Sequence, residues 1–202
     1  MTDRIAILGW GSLLWDLDNL EPHVIGDWAR AAGPRVPLEF CRISPKRKMG
    51  LTVVIDADHG ADCPVSLIVS NRADIEAAAQ DLAARERAAL SRIGFVERDA
   101  GRGRAADQTV IDRVGRWCAE AGWAGAVWTD LPGNFVEHTG QSFALKTAVS
   151  YLQTLQGESL EEAHRYIESA PTETDTPLRR RLASDAWWIG LRTAPGAASH
   201  PG

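Results

Sequence analysis

Four apolar segments crowd the N-terminal third of the chain with no helical pattern between each pair: RIAILG (4–9), PLEFCRIS (37–44), LTVVID (51–56) and PVSLIV (64–69). Each is short, rich in Ile, Val, Leu or Phe, and bounded by Gly, Pro, Asp or Ser, which reads as a strand. The links SPKRKMG and ADHGADCP carry the turn formers expected between strands. The one long intervening stretch, NLEPHVIGDWARAAGPRVP, reads as irregular or partly helical. Strands clustered in this way do not suit a regular βαβ winding. They predict an α+β domain with a small mixed or largely antiparallel, barrel-like sheet and helices around it.

Helical periodicity takes over afterwards. NRADIEAAAQDLAARERAALSRIG predicts a helix over 73–93, with Asn71 as its cap and Gly94 as its stop. RDAGRGRAADQ is a loop, and QTVIDRVGRWCAEAG predicts a helix with Val110, Val114, Trp117 and Cys118 on one face. AGAVWTDL (124–131) is a further buried strand. Helices over 142–155 and 159–168 follow, the second opened by a capping box of Ser159 and Glu162. TPLRRRLASDAWWIGLR ends the ordered chain, so the expectation is a single domain over 1–192 and a flexible tail over 193–202.

With 202 residues, 45% of them hydrophobic, the chain can bury one sizeable core. A net charge of −5 argues against a nucleic-acid partner, which clustered excess Lys and Arg would serve. No apolar run approaches the ~20 residues of a membrane span. MTDRIAILGWG places a strand and a glycine turn where a signal peptide needs its apolar core, so a cytoplasmic monomer or homodimer is expected. Cys41, Cys63 and Cys118 are odd in number and lack C-x-x-C spacing, which reads as buried thiols. The five histidines are scattered, and neither a metal nor a cofactor is expected. The run Lys46, Arg47, Lys48 reads as a solvated hairpin tip.

On the 73–93 helix, at about 100° per residue, Ile75, Ala79, Leu82, Ala89, Leu90 and Ile93 fall in one apolar arc. Glu86 lies near its middle, while Arg85 and Arg87 point to the flanks. A carboxylate on a buried face is costly unless paired, or holds its proton to a higher pH than a free Glu. Two readings follow: a general acid/base, or a structural ion pair with an arginine such as Arg42 or Arg92.

Gly9-Trp10-Gly11-Ser12-Leu13-Leu14 ends the first strand. It lacks the third glycine and following helix of a dinucleotide loop, the Gly-Lys of a phosphate-binding loop, and the spacing of a nucleophile elbow. What remains is a tight turn. Either its backbone N–H groups form an anion nest, or it merely turns the chain with Trp10 and Trp15 in the core.

WGSLLW (10–15) resembles the Tyr-Gly-Ser-Leu motif that ends the first strand in the γ-glutamylcyclotransferase-like family. LAARERAALSRIGF (82–95) resembles that family's later segment, in which a glutamate precedes a glycine, and this glutamate is Glu86. The resemblance implies a small mixed barrel and an intramolecular aminolysis of a γ-glutamyl amide, releasing 5-oxoproline. It makes Glu86 the catalytic acid/base and Trp10, Gly11, Ser12, Leu13 and Leu14 the substrate-binding residues, with a small-molecule γ-glutamyl partner and no cofactor. Trp10 stands where the family has tyrosine, so only an indole N–H remains there, and only Tyr151 and Tyr166 can supply a phenol. Two alternatives stay open: a non-catalytic γ-glutamyl-binding or regulatory protein of this fold, and a hydrolase using His138 with Glu137 or Asp130.

Overall fold

The computed structural model describes residues 4–191. Its strands are β1 (Ile5–Gly9), β2 (Val24–Ala29), β3 (Arg35–Ser44), β4 (Gly50–Ile55), β5 (Ala61–Pro64), β6 (Ser66–Ser70), β7 (Ile93–Glu97), β8 (Arg102–Arg104) and β9 (Gly125–Thr129). They form a mixed sheet in the order β2-β6-β1-β9-β7-β8 and an antiparallel sheet in the order β4-β3-β5. β1 runs parallel to β9 and antiparallel to β6. The architecture is α+β as expected, but among the described residues there is no closed barrel. β3, β4 and β5 satisfy one another's backbone groups instead of bridging β2 to β8, so the larger sheet keeps two edges.

The chain changes sheets at Val65, which is why PVSLIV is not one strand. Pro64 closes β5, Ser66 opens β6, and the buried Val65 between them accepts from Gly33 N at 2.8 Å and donates to Pro34 O at 3.1 Å. The stretch expected to be irregular or partly helical holds a 3-10 helix at Asp18–His23, as that reading allows, but then a strand, β2, that it did not include. β2 is a mostly exposed edge strand bulged at Gly26, where φ is +73°, so no apolar alternation marks it in the sequence. β8 is likewise an exposed edge inside the Arg/Gly-rich segment read as a loop.

The helices are α1 (Ile75–Glu86), α2 (Gln108–Ala121), α3 (Phe135–Thr139), α4 (Leu145–Thr154), α5 (Gly157–Ser169), α6 (Pro177–Ala183) and α7 (Ala186–Leu191). In α2, Asp107 caps the first turn and Gly122 ends the helix in the left-handed region, with Val110, Val114 and Cys118 buried as predicted. α5 starts behind Gln156, not at Ser159, and α3 was not visible as a separate helix. All three cysteines are free and buried. The tail expected over 193–202 lies outside the described residues.

The strand period of two explains how the layers meet. From β1, Ile5 and Ile7 join Ile68, Ile75, Leu82, Ile93 and Val127 beneath α1. Ala6 and Leu8 face the other way and join Val36, Leu38, Phe40 and Trp128 against the smaller sheet. Gly94 of β7 pairs with Trp128 of β9, and a Cβ on Gly94 would fall 2.3 Å from the indole Cε2. Trp128 is fully buried and cannot swing away. Gly94→Ala is therefore expected to destabilise the fold by about 1–3 kcal/mol. Guanidinium unfolding checks this, and an unchanged midpoint would mean the strands part easily here.

Candidate active site

α1 does not run to Ile93. Asp74, not Asn71, caps it, accepting from Ala77 N at 3.0 Å, and the helix stops at Glu86 because Arg87 turns left-handed at φ 51°. Ala88 N then bonds back to Ala83 O at 3.1 Å, closing the end in the manner of a Schellman cap. Arg87 pairs with Asp18 at 3.0 Å, and Lys46 Nζ donates to the Glu86 carbonyl, so tertiary contacts fix the stop in an alanine-rich sequence that could have continued. The interruption leaves Glu86 at the open end of the helix instead of in the middle of a buried stripe.

That end coincides with the carboxyl ends of the parallel pair β1 and β9, since Ile93 opens β7 opposite Thr129, where β9 ends. A cavity of 770 Å³ opens there, within the usual ligand-pocket range of roughly 300–1,000 Å³. Glu86 lines it together with Trp10, Gly11, Ser12 and Leu13. Leu14 does not. Its side chain is buried with the core beneath α1 and its amide donates to Gly11 O at 3.0 Å. The turn is a 3-10 helix over Ser12–Leu14 whose hydrogen bonds use the amides of Leu14, Trp15 and Asp16, not those of Gly11, Ser12 and Leu13. Trp10 is largely buried, and its carbonyl accepts from Thr174 Oγ1 at 3.0 Å.

The Glu86 side chain is 17% exposed and not alone. Arg85, expected on the flank, is buried, with a side-chain exposure of 8%, and its Nη1 donates to Glu86 Oε1 at 2.8 Å. Arg85 Nη2 donates to the Asp16 carbonyl, tying the pair to the segment after the turn, while its buried Nε has no hydrogen-bond partner. The ion pair thus forms within the helix end, not with Arg42 or Arg92. Glu86 Oε2 accepts no hydrogen bond among the described residues.

Tyr166 of α5 is the functional candidate that sequence reading left unchosen. α5 packs on β4, which carries the phenol 154 residues along the chain to the turn after β1. A Cβ on Gly11 would lie 2.8 Å from the Tyr166 hydroxyl, so only glycine allows this approach. Burial pushes the Tyr166 phenol up to about 12; Glu86 adds to the rise, while Arg47 and the Val53 and Ser12 amides oppose it. It is therefore a neutral O–H donor near pH 7. Tyr151 instead donates to Met49 O at 2.6 Å and is not among the cavity's lining residues.

Lys46 and Lys48 are exposed at the β3–β4 hairpin tip as expected, but Lys46 and the half-buried Arg47 also line the cavity, with the Arg47 guanidinium 5.3 Å from the Tyr166 ring centroid. His138 and Glu137 are exposed on α3, and neither they nor Asp130 line the cavity. Among the described residues no three His, Cys, Asp or Glu side chains gather as metal ligands, and no helix is long and apolar enough to cross a membrane. Comparison with models of protein families, with curated proteins and with solved structures finds no match to this chain.

Proposed function

We propose that the chain is a γ-glutamylcyclotransferase-like enzyme, releasing 5-oxoproline from a γ-glutamyl amine, amino acid or related amide. The observation that carries this reading is that one cavity is lined both by Glu86 and by the turn amides left outside the 3-10 hydrogen bonding. The substrate's α-amine attacks its own γ-carbonyl carbon, forming the ring C–N bond. Glu86 accepts the proton that the attacking nitrogen loses and delivers it to the departing nitrogen as the original amide C–N bond breaks. Both reacting groups belong to one molecule, so the protein need only fold the glutamyl chain back on itself. The Ser12 amide donates to the Tyr166 oxygen and holds the phenol in the cavity wall, leaving the Leu13 amide and the neutral Tyr166 hydroxyl to donate to an oxyanion or a carboxylate. Tyr166 thereby supplies the phenol that Trp10 cannot.

The test is a mass-spectrometric screen of γ-glutamyl dipeptides and amines. The expected products are 5-oxoproline and the free amine in equal amounts. Free glutamate would instead mark a hydrolase, and saturable binding with no product a regulatory module; either result overturns the proposal.

A further inference from the structure

The cations lining the cavity are not equivalent. Arg47 pairs with Glu162 at 3.2 Å, Arg85 with Glu86 at 2.8 Å and Arg87 with Asp18 at 3.0 Å, while Lys46 is held by the Glu86 carbonyl. Arg42 and Arg92 differ. Arg42 Nη1 donates only to the neutral Pro132 carbonyl, at 2.7 Å, and the Arg92 guanidinium makes no hydrogen bond or ion pair among the described residues.

Both line the cavity, and Arg42 lies within reach of the Arg92 charge. Burial and then the charge of Arg92 hold Arg42 below the usual guanidinium value, with Glu137 opposing. The nearest acids do not resolve the repulsion. Asp130 feels Arg92 but accepts from Ala106 N at 2.6 Å, Glu137 is exposed on α3, and neither lines the cavity. Thr129, at the end of β9, lines the same cavity. Two guanidinium groups that line one cavity and form no ion pair with its acids suit an anionic ligand, which a guanidinium fork can grip through two hydrogen bonds.

We propose that Arg42 and Arg92 form an anion subsite for a carboxylate or phosphate on the leaving amine, selecting γ-glutamyl conjugates of acidic amines over those of neutral ones. The cavity's 770 Å³ leaves room for such a group beyond a glutamyl unit held at Gly11 and Glu86. The term "leaving amine" rests on the cyclotransferase reading; the anion subsite itself does not.

The test titrates the Glu86→Gln protein calorimetrically with γ-glutamylglutamate, γ-glutamylphosphoethanolamine and γ-glutamylbutylamine. At least one anionic conjugate should bind about tenfold or more tightly than the butylamine, as charge-assisted hydrogen bonds allow. Whichever anionic conjugate binds more tightly identifies carboxylate or phosphate as the natural group. Adding Arg42→Gln and Arg92→Gln should reduce the preference to about twofold or less. Arg92→Gln alone, at an exposed and unbonded side chain, should lower it severalfold and decides the matter if the double change unfolds the protein. Equal affinity for charged and neutral conjugates, no binding of either anionic one, or a preference that survives these substitutions overturns the subsite. An acid preference without 5-oxoproline release by the unaltered protein would sink the enzyme and keep the subsite. Equal turnover of all three conjugates would do the reverse.

Discussion

Glu86→Gln is expected to lower kcat for 5-oxoproline release by about 10²- to 10⁴-fold, the usual contribution of a placed general acid/base. At about 1.36 kcal/mol per tenfold, that is roughly 3–5 kcal/mol of transition-state stabilisation. Glutamine keeps the shape and can still accept from Arg85 Nη1 through its amide oxygen, so the bond holding the helix end survives in outline. It cannot carry a proton from the attacking to the departing nitrogen. The loss should therefore appear about equally in kcat and kcat/KM, because what is removed acts in the transition state and not in ground-state binding. Thermal unfolding within a few degrees of the unaltered protein would confirm that the fold is intact. Activity within threefold of the original would place the base elsewhere in the cavity.

The sequence singles out Glu86 but misplaces it on the helix. The apolar arc requires a helix that reaches Ile93, whereas Arg87 turns left-handed and the helix ends. Without Ala89, Leu90 and Ile93 the buried face becomes Ile75, Ala78, Ala79, Leu82 and Ala83, with Arg85 at its border. That shift brings Arg85 inward to pair with the carboxylate. Periodicity assumes a continuous helix, and here the stop depends on Lys46 and Asp18, distant side chains that no local pattern reveals.

The strands of the first seventy residues were readable because each buries an apolar run. The division into two sheets was not, since it hinges on hydrogen bonding at Val65 across a segment that looks continuous. Tyr166 illustrates a further limit. The spacing of Ala163, Tyr166 and Ile167 marks one inward face of α5, yet spacing alone does not distinguish a core from a cavity wall. The turn after β1 could be located from its glycines, but which amides it leaves open depends on the 3-10 bonding that takes up Leu14.

Glu39→Ala is expected to be the most damaging change outside the cavity, costing about 2–5 kcal/mol through buried donors left unpaired. Glu39 is fully buried in β3; its Oε1 accepts from Phe40 N at 2.7 Å and its Oε2 from Leu178 N at 3.1 Å. With the Thr176 hydroxyl also bonded to it, this carboxyl ties the smaller sheet to the first turn of α6. Burial raises its pKa above 4.5, with Asp56 adding to the rise while the Phe40 amide, Thr176 and the Leu178 amide oppose it. The folded state therefore keeps this proton to a higher pH than the unfolded chain does. The contribution to stability is fully present below the unfolded value and is lost as pH rises through the folded one. Glu39→Gln cannot titrate, and its amide nitrogen must face one of the two backbone donors, so it should cost less than alanine but more than nothing. Urea unfolding at several pH values separates the two effects. The advantage of the unaltered protein over Glu39→Gln should be larger near pH 5 than near pH 8. An advantage that grows with pH instead would mean that the amides of Phe40 and Leu178 outweigh burial and hold Glu39 as an anion.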